Sequence, residues 1–224
     1  MATGGEDVFR ESFREYASTI FLVEEEGMIP IQARIADWLR VSRASVSEMI
    51  HRMEKEGLVV VAGSRSLELT TTGRELAEEV VRRHRLSELF LDRFLGLPWR
   101  VLHEEGERWE MVISGQVEEA MCVRLGDPKT CPHGNPIPGS GYVRPPMKPV
   151  SEMIPGEMLP LGRISSELES DEEALDLLDK NGFLPGKTIR FQSQSNEGVR
   201  VVIEPSLEVQ LPSFIAERLF VVVS

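Results

Sequence analysis

Two groups of residues between Glu78 and Ile113 carry metal-binding atoms at helical spacing. His84 and Glu88 form one; His103, Glu107, Glu110 and Met111, related by steps of three, four and seven, form the other. Such steps bring side chains onto one helical face. Imidazoles, carboxylates and a thioether facing one another across two helices could hold a divalent metal, and that metal could control whatever the N-terminal part does. Cys131-Pro132-His133 adds a thiol and an imidazole two residues apart, on one side of an extended segment. Taken singly each has an ordinary reading: Glu107 and Glu110 as solvated charges, Met111 as core, His103 as a capping or surface group.

The elements that must position these groups are legible around them. The stretch 74–96, RELAEEVVRRHRLSELFLDRFLG, predicts a long helix stopped by Gly96 and Pro98. VLHEEGERWEMVIS and GQVEEAMCVRLG predict two more. Leu76, Val80, Leu86, Leu89, Phe90 and Phe94 offer more apolar surface than one thin contact needs, so together with the third helix, GQVEEAMCVRLG, a helical dimer interface is expected here. Residues 126–149 are dense in Pro and Gly and are expected to be an irregular tether. Beyond Ser151 the short runs GRIS, KTIRFQSQS, GVRVVIEP, LEVQLP and RLFVVV, with the acidic helix DEEALDLLDKNG after the first, predict a compact five-stranded SH3-like barrel.

Before the metal-type residues, residues 8–26 place Phe9, Phe13, Tyr16, Ile20 and Val23 at helical spacing, with Gly27 as a stop. IQARIADWLR predicts a short helix. SRASVSEMIHRMEKEG predicts another, with Ser42 or Ser45 as N-cap, an apolar stripe at Val46, Met49, Ile50 and Met53, and Gly57 as terminator. LVVVAG and SLELTT flank the turn Gly63-Ser64-Arg65 and predict a hairpin. Helix, helix, turn, helix and hairpin make a winged helix-turn-helix. Its DNA-facing residues would be Ser42, Arg43, Ala44, Ser45, Ser47 and Glu48, with Arg34, Arg52 and the wing residue Arg65 completing the surface.

The 224-residue chain carries a net charge of −12, which counts against nonspecific coating of nucleic acid. The charge is uneven, however: residues 28–65 hold six Lys/Arg against four Asp/Glu, whereas residues 151–224 hold six against thirteen. DNA binding must therefore be local, and dimerisation would double the contact surface. Two cysteines are too few for a disulfide framework. No apolar run approaches a membrane span and the N-terminus has no leader pattern, so a cytoplasmic protein with no membrane partner is expected.

The segments IQARIADWLRVSRASVSEMIHRMEKEGLVVV, SRSLELTTTGRELA, RRHRLSELFL, HEEGERWEMVIS and GNPIPG, in this order, resemble the diphtheria toxin repressor family of metal-dependent transcriptional repressors. The likeness covers nearly the whole chain and is weakest over the last seventy or so residues. It implies a mostly α protein with small β parts: a winged helix-turn-helix over residues 1–75, a helical dimerisation and metal-binding domain over 76–140, a linker over 141–150 and an SH3-like β-barrel over 151–224. It also implies a homodimer on double-stranded operator DNA, activated by Fe²⁺ or Mn²⁺ and controlling metal-homeostasis genes.

The resemblance further implies two metal sites. One would join Glu15 of the first helix to Glu107, Glu110 and Met111. Iron-sensing members have Met, Cys, Glu and His in these places and manganese-sensing members Asp, Glu, Glu and His, so this chain departs from both, most clearly at Met111. Three carboxylates favour Mn²⁺ and the softer thioether leans toward Fe²⁺; Fe²⁺ is ranked first, with Zn²⁺, Co²⁺ and Ni²⁺ as binders in vitro. The other site would use His84, Glu88 and His103, or Glu88, Cys131 and His133 with an acidic residue near Glu167 or Glu169. A rival reading is a metal-dependent hydrolase built on Glu107, Glu110 and His84, but the sequence supplies no substrate cleft for it and leaves the winged-helix half unexplained.

Overall fold

A computed structural model describes the backbone of residues 4–63 and 65–223, and side chains from Glu11 onward within that range. It divides into two compact units, Met1–Arg82 and Arg83–Ser224. Among the described residues no helix is long and apolar enough to cross a membrane.

The first unit runs α1 (Gly4–Glu25), α2 (Gln32–Leu39), α3 (Arg43–Lys55), β1 (Val59–Val61), β2 (Leu67–Leu69) and into α4 (Thr71–Phe90). Its core is built from one face of each helix: Tyr16, Ala17, Ile20 and Val23 meet Ile35, Ala36, Val46, Ile50, Met53 and the strand residue Leu67. The expected stripe is therefore present, although the side chain of Phe9 lies outside the described residues. α3 starts where Ser42 accepts a hydrogen bond from the Ser45 N–H at 3.1 Å, satisfying one of the donors that a helix start leaves over. β1 and β2 pair antiparallel, with Val60 opposite Glu68. At the next corner Thr70 accepts from the Gly73 N–H and donates to the Gly57 carbonyl at 2.6 Å. Gly73 is required there, because a Cβ would stand 1.9 Å from the Leu58 carbonyl oxygen.

The second unit holds the rest of α4, a π-helical turn over Leu91–Leu95, α5 (Trp99–Val112), α6 (Gly115–Leu125), β3 (Met147–Pro149), β4 (Met158–Ile164), α7 (Ser166–Glu169), α8 (Glu172–Lys180), β5 (Thr188–Ser195), β6 (Gly198–Ile203), β7 (Leu207–Leu211), α9 (Ser213–Ala216) and β8 (Leu219–Val222). The strands form one antiparallel sheet in the order β3-β8-β4-β5-β6-β7, bent by irregular register at Leu161/Arg163 and Phe191/Ser193. This is the SH3-like part, with six strands rather than five. The additional strand, β3, comes from the stretch expected to be a tether.

That expectation needs correction over most of residues 126–149. Cys131, His133, Asn135 and Ile137 are buried. Thr130 bridges Pro136, and the Ile164 N–H of β4 donates to the His133 carbonyl at 2.9 Å. Proline and glycine here shape a tightly held loop. Gly134, at φ +85°, leaves no room for a side chain, since a Cβ would meet the Gly162 carbonyl at 2.3 Å. One apolar core continues from Leu91, Trp99 and Leu102 of the helical part into Leu161, Phe183, Phe191 and Val201 of the sheet part. Leu86 and Leu89, expected at a dimer surface, are instead buried with Ile113, Met121 and Ile137 within the chain. Phe94 of the expected set is exposed, and further exposed apolar residues lie along the chain: Val112 (80% exposed) on α5, and Val117 and Val123 (71%) on the expected third helix, α6.

Candidate metal centre

In α4 the four-residue step puts His84 and Glu88 on one stripe, facing His103 of α5. Gly106 of α5 makes that approach possible. A Cβ there would lie 3.0 Å from the His84 Cε1 and 3.2 Å from the Glu88 Cγ. The 131–135 loop closes the other side with Cys131 and His133, and α7 brings in Glu169. Two compact donor sets result: His84, Glu88, His103 and Glu169; and Glu88, Cys131, His133 and Glu169. The donor atoms of each set lie within 4.8 Å of one another.

Glu88 is at the middle and is 0% exposed. Its Oε1 is 3.2 Å from the His84 Nε2 and 3.9 Å from the His103 Nδ1, and its Oε2 is 3.6 Å from the His133 Nδ1. None of these contacts has hydrogen-bond geometry, so both Glu88 oxygens, like the His133 Nε2, are buried polar atoms without a hydrogen bond. Such atoms are costly unless something else satisfies them, and a divalent cation would. The donor chemistry fits one too: three imidazoles, a thiol and two carboxylates suit first-row transition metals.

The outer contacts are specific. The His84 Nδ1–H donates to the Glu110 Oε2 at 2.8 Å, leaving Nε2 to face the centre. Asn135 donates to the Glu169 Oε1 at 2.6 Å and to the Ile164 carbonyl at 2.8 Å, and accepts from the buried Arg163 Nη1 at 2.7 Å. Trp99 packs edge-on against the His133 ring.

Electrostatics follow the burial. Burial disfavours charge on His84 and His133, but neighbouring acidic groups, Glu88 foremost, outweigh it and hold both pKa values well above the usual histidine value. Burial would raise Glu88, yet His84 and His133 keep its carboxylate well below the usual range. Burial and Glu88 push Glu169 up, and His133 and Arg85 outweigh them to leave it lowered. Burial, then the charge on His84, lowers His103, whereas burial and Glu169 raise the Cys131 thiol. A cation entering here must displace protons, as metal binding to such groups generally does.

Of the acidic pair left open in the sequence, Glu169 points into the centre. Glu167 points away, where Arg218 donates to its two oxygens at 2.7 and 2.9 Å. The remaining sequence candidates are each placed within their own unit. Glu110 is engaged with His84, Glu107 is exposed with its Oε1 3.5 Å from the His103 Nε2, and Met111 is exposed. Glu15 lies on α1 of the first unit with its side chain exposed.

The chain matches two family descriptions: the N-terminal DNA-binding domain of iron-dependent repressors over residues 9–67, and their metal-binding and dimerisation domain over residues 70–139. It is 38% identical over 208 residues to the iron-dependent repressor IdeR of Mycobacterium tuberculosis, covering 88% of this chain and 90% of that one. The chain belongs to the iron-dependent repressor family. The diphtheria toxin repressor of Corynebacterium diphtheriae is 49% identical over 124 residues, 55% of each chain. Among solved structures, a manganese-dependent transcriptional repressor in complex with manganese superposes with a TM-score of 0.83 at 29% identity, covering 95% of this chain and all of that one. The T. acidophilum IdeR crystal structure gives 0.74 at 29% identity, covering 94% and 97%.

As a member of this family the chain is a metal-dependent transcriptional repressor with a DNA-binding domain and a metal-binding and dimerisation domain. It is a regulator and not an enzyme, so the hydrolase reading of Glu107, Glu110 and His84 falls. In the DNA-binding half, Arg43, Ala44, Ser45, Ser47 and Glu48 are exposed along the start of α3, and Arg65 is exposed on the wing. Two of the expected DNA-facing residues have duties inside the chain. Ser42 caps α3, and Arg34 donates to the Ile29 carbonyl. Glu48 pairs with Arg52 one turn on. Sequence reasoning missed Gly106, Asn135 and Arg163. A glycine inside a helix that is otherwise rich in metal-type residues was the available signal for the first, and the last two had none.

Proposed function

We propose that the chain binds double-stranded operator DNA as a homodimer when Fe²⁺ or Mn²⁺ occupies a centre built from His84, Glu88, His103, Cys131, His133 and Glu169. The observation that carries this reading is Glu88, a buried carboxylate whose two oxygens lie among three imidazoles without a hydrogen bond. Asn135 orients Glu169 and Glu110 orients His84, so these residues hold the donors in place for a cation, which when bound would replace the protons now on the imidazoles facing the buried carboxylates. A second set, Glu15, Glu107, Glu110 and Met111, rests on the sequence pattern. Fe²⁺ is the first choice, because imidazole and thiolate donors bind it ahead of Mn²⁺ in the general affinity order.

The exposed α3 start, Arg43 to Glu48, supports reading of base edges in the major groove, with Arg52 and Arg65 toward phosphates. Exposed Val112, Val117 and Val123, within the matched dimerisation domain, support pairing with a second copy. The protein acts where the DNA is, in the cytoplasm.

Metal activates only as far as it binds the DNA-competent state more tightly. Allosteric couplings of this kind are typically about 5–150-fold. Operator fragments selected from random sequence, titrated by fluorescence anisotropy under anaerobic conditions, are expected to bind at least several-fold more tightly with Fe²⁺ or Mn²⁺ than with chelator, and Zn²⁺ should also activate. Equal affinity with and without metal would overturn the proposal.

A further inference from the structure

Resting on the reading that this centre holds metal, we infer that it takes two divalent cations at once, bridged by the carboxylate of Glu88. A carboxylate that chelates one ion turns both oxygens to the same partner. Glu88 does not: Oε1 faces His84 and His103, and Oε2 faces His133 on the other side. Each oxygen therefore belongs to a different group of donors, and both are buried without a hydrogen bond. A single ion would satisfy one oxygen and leave the other buried without a hydrogen bond.

The donors divide in the same way. Each compact set of four spans no more than 4.8 Å between its ligand atoms. Donors on opposite sides of an ion with bonds of about 2.0–2.3 Å stand roughly 4–4.6 Å apart, so each set suits one ion. The first supplies two imidazoles, the second a thiolate and one imidazole, and Glu88 and Glu169 are common to both. Two-metal sites in proteins place their ions about 3.5–4 Å apart, a separation that a shared carboxylate spans. The two halves differ in access. His103 is partly exposed, whereas Cys131 and His133 are buried, so the His84/His103 ion is the one that exchanges with solution first.

The test uses the full-length chain with Glu15→Gln and Glu107→Gln, two exposed positions that silence the other expected ligand set. After loading with Mn²⁺ and gel filtration, metal is counted by mass spectrometry and the spins are examined by low-temperature electron paramagnetic resonance. Two ions per chain with an exchange-coupled spectrum are expected. A further His103→Ala change should leave one ion with the hyperfine pattern of isolated Mn²⁺, and Glu88→Gln should abolish the coupling. One ion per chain in the parent, or two ions without coupling, overturns the inference. Failure of the functional reading looks different: two coupled ions in this variant, with no metal-dependent DNA binding by the unmutated chain, would sink the repressor mechanism and leave the bridge standing.

Discussion

At the scale of single residues, the centre depends on groups that never need to touch a metal. Asn135 ties Glu169, Arg163 and the Ile164 carbonyl together with three hydrogen bonds. Losing it frees the Glu169 carboxylate to turn and takes one hydrogen bond from the buried Arg163 guanidinium. Outer contacts of this sort are typically worth about 10–100-fold in metal affinity. Asn135→Ala is expected to weaken Mn²⁺ binding by that order in a competition titration against a chelating dye, and an unchanged affinity would remove Asn135 from the account. The candidate donors are legible in the sequence because their spacing is local: His84–Glu88 and Cys131–His133 can be read off a helix and a loop. The choice between Glu167 and Glu169 was not legible. Which carboxylate turns toward the cluster depends on distant partners: Arg218 holds Glu167 away, and Asn135 holds Glu169 in.

At the scale of elements, helices announced themselves through apolar stripes and end signals. α3 is the clearest case, with Ser42 at one end and Gly57 just past the other. Ser42→Ala removes the cap and should cost about 1 kcal/mol, measurable as a lowered midpoint in urea unfolding. It should also weaken operator binding, since the helix start carries the base-facing residues. Between α2 and α3 the chain turns through Arg40 in the left-handed region, at φ 56°. A non-glycine residue there costs roughly 1–2 kcal/mol, partly offset by the greater chain freedom of glycine. Arg40→Gly is therefore expected to stabilise the first unit by about 0.5–1 kcal/mol in the same assay. The Pro/Gly-rich 126–149 segment misled the sequence reading for a physical reason. Composition reports local flexibility, whereas this loop is ordered by long-range bonds from β4 and by the close approach at Gly134.

At the scale of the whole molecule, the sequence reading of a winged helix, a helical part and an SH3-like part matches the architecture. The apolar residues expected to join two copies do not all serve that end, because Leu86 and Leu89 fill the chain's own core. Exposed Val123 and Val112 carry the prediction instead. Val123→Glu would desolvate a charge on pairing, and should shift sedimentation toward monomer and lower DNA affinity in parallel, while metal content per chain stays the same. Val123 lies outside both donor sets, so a drop in metal content would separate this account from one in which pairing builds the centre.

The Asn135–Glu169 hydrogen bond joins parts of the chain that lie far apart in sequence. The donors come from α4, from α5, from the 131–135 loop and from α7, so ligation ties together points of the chain from His84 to Glu169. Closing loops of this size removes freedom from the unfolded chain, as a covalent cross-link does. An ion held by these donors would act as a staple as well as a signal: loading with Mn²⁺ is expected to raise the urea midpoint of the second unit, and the chelated chain is expected to unfold and be proteolysed more readily.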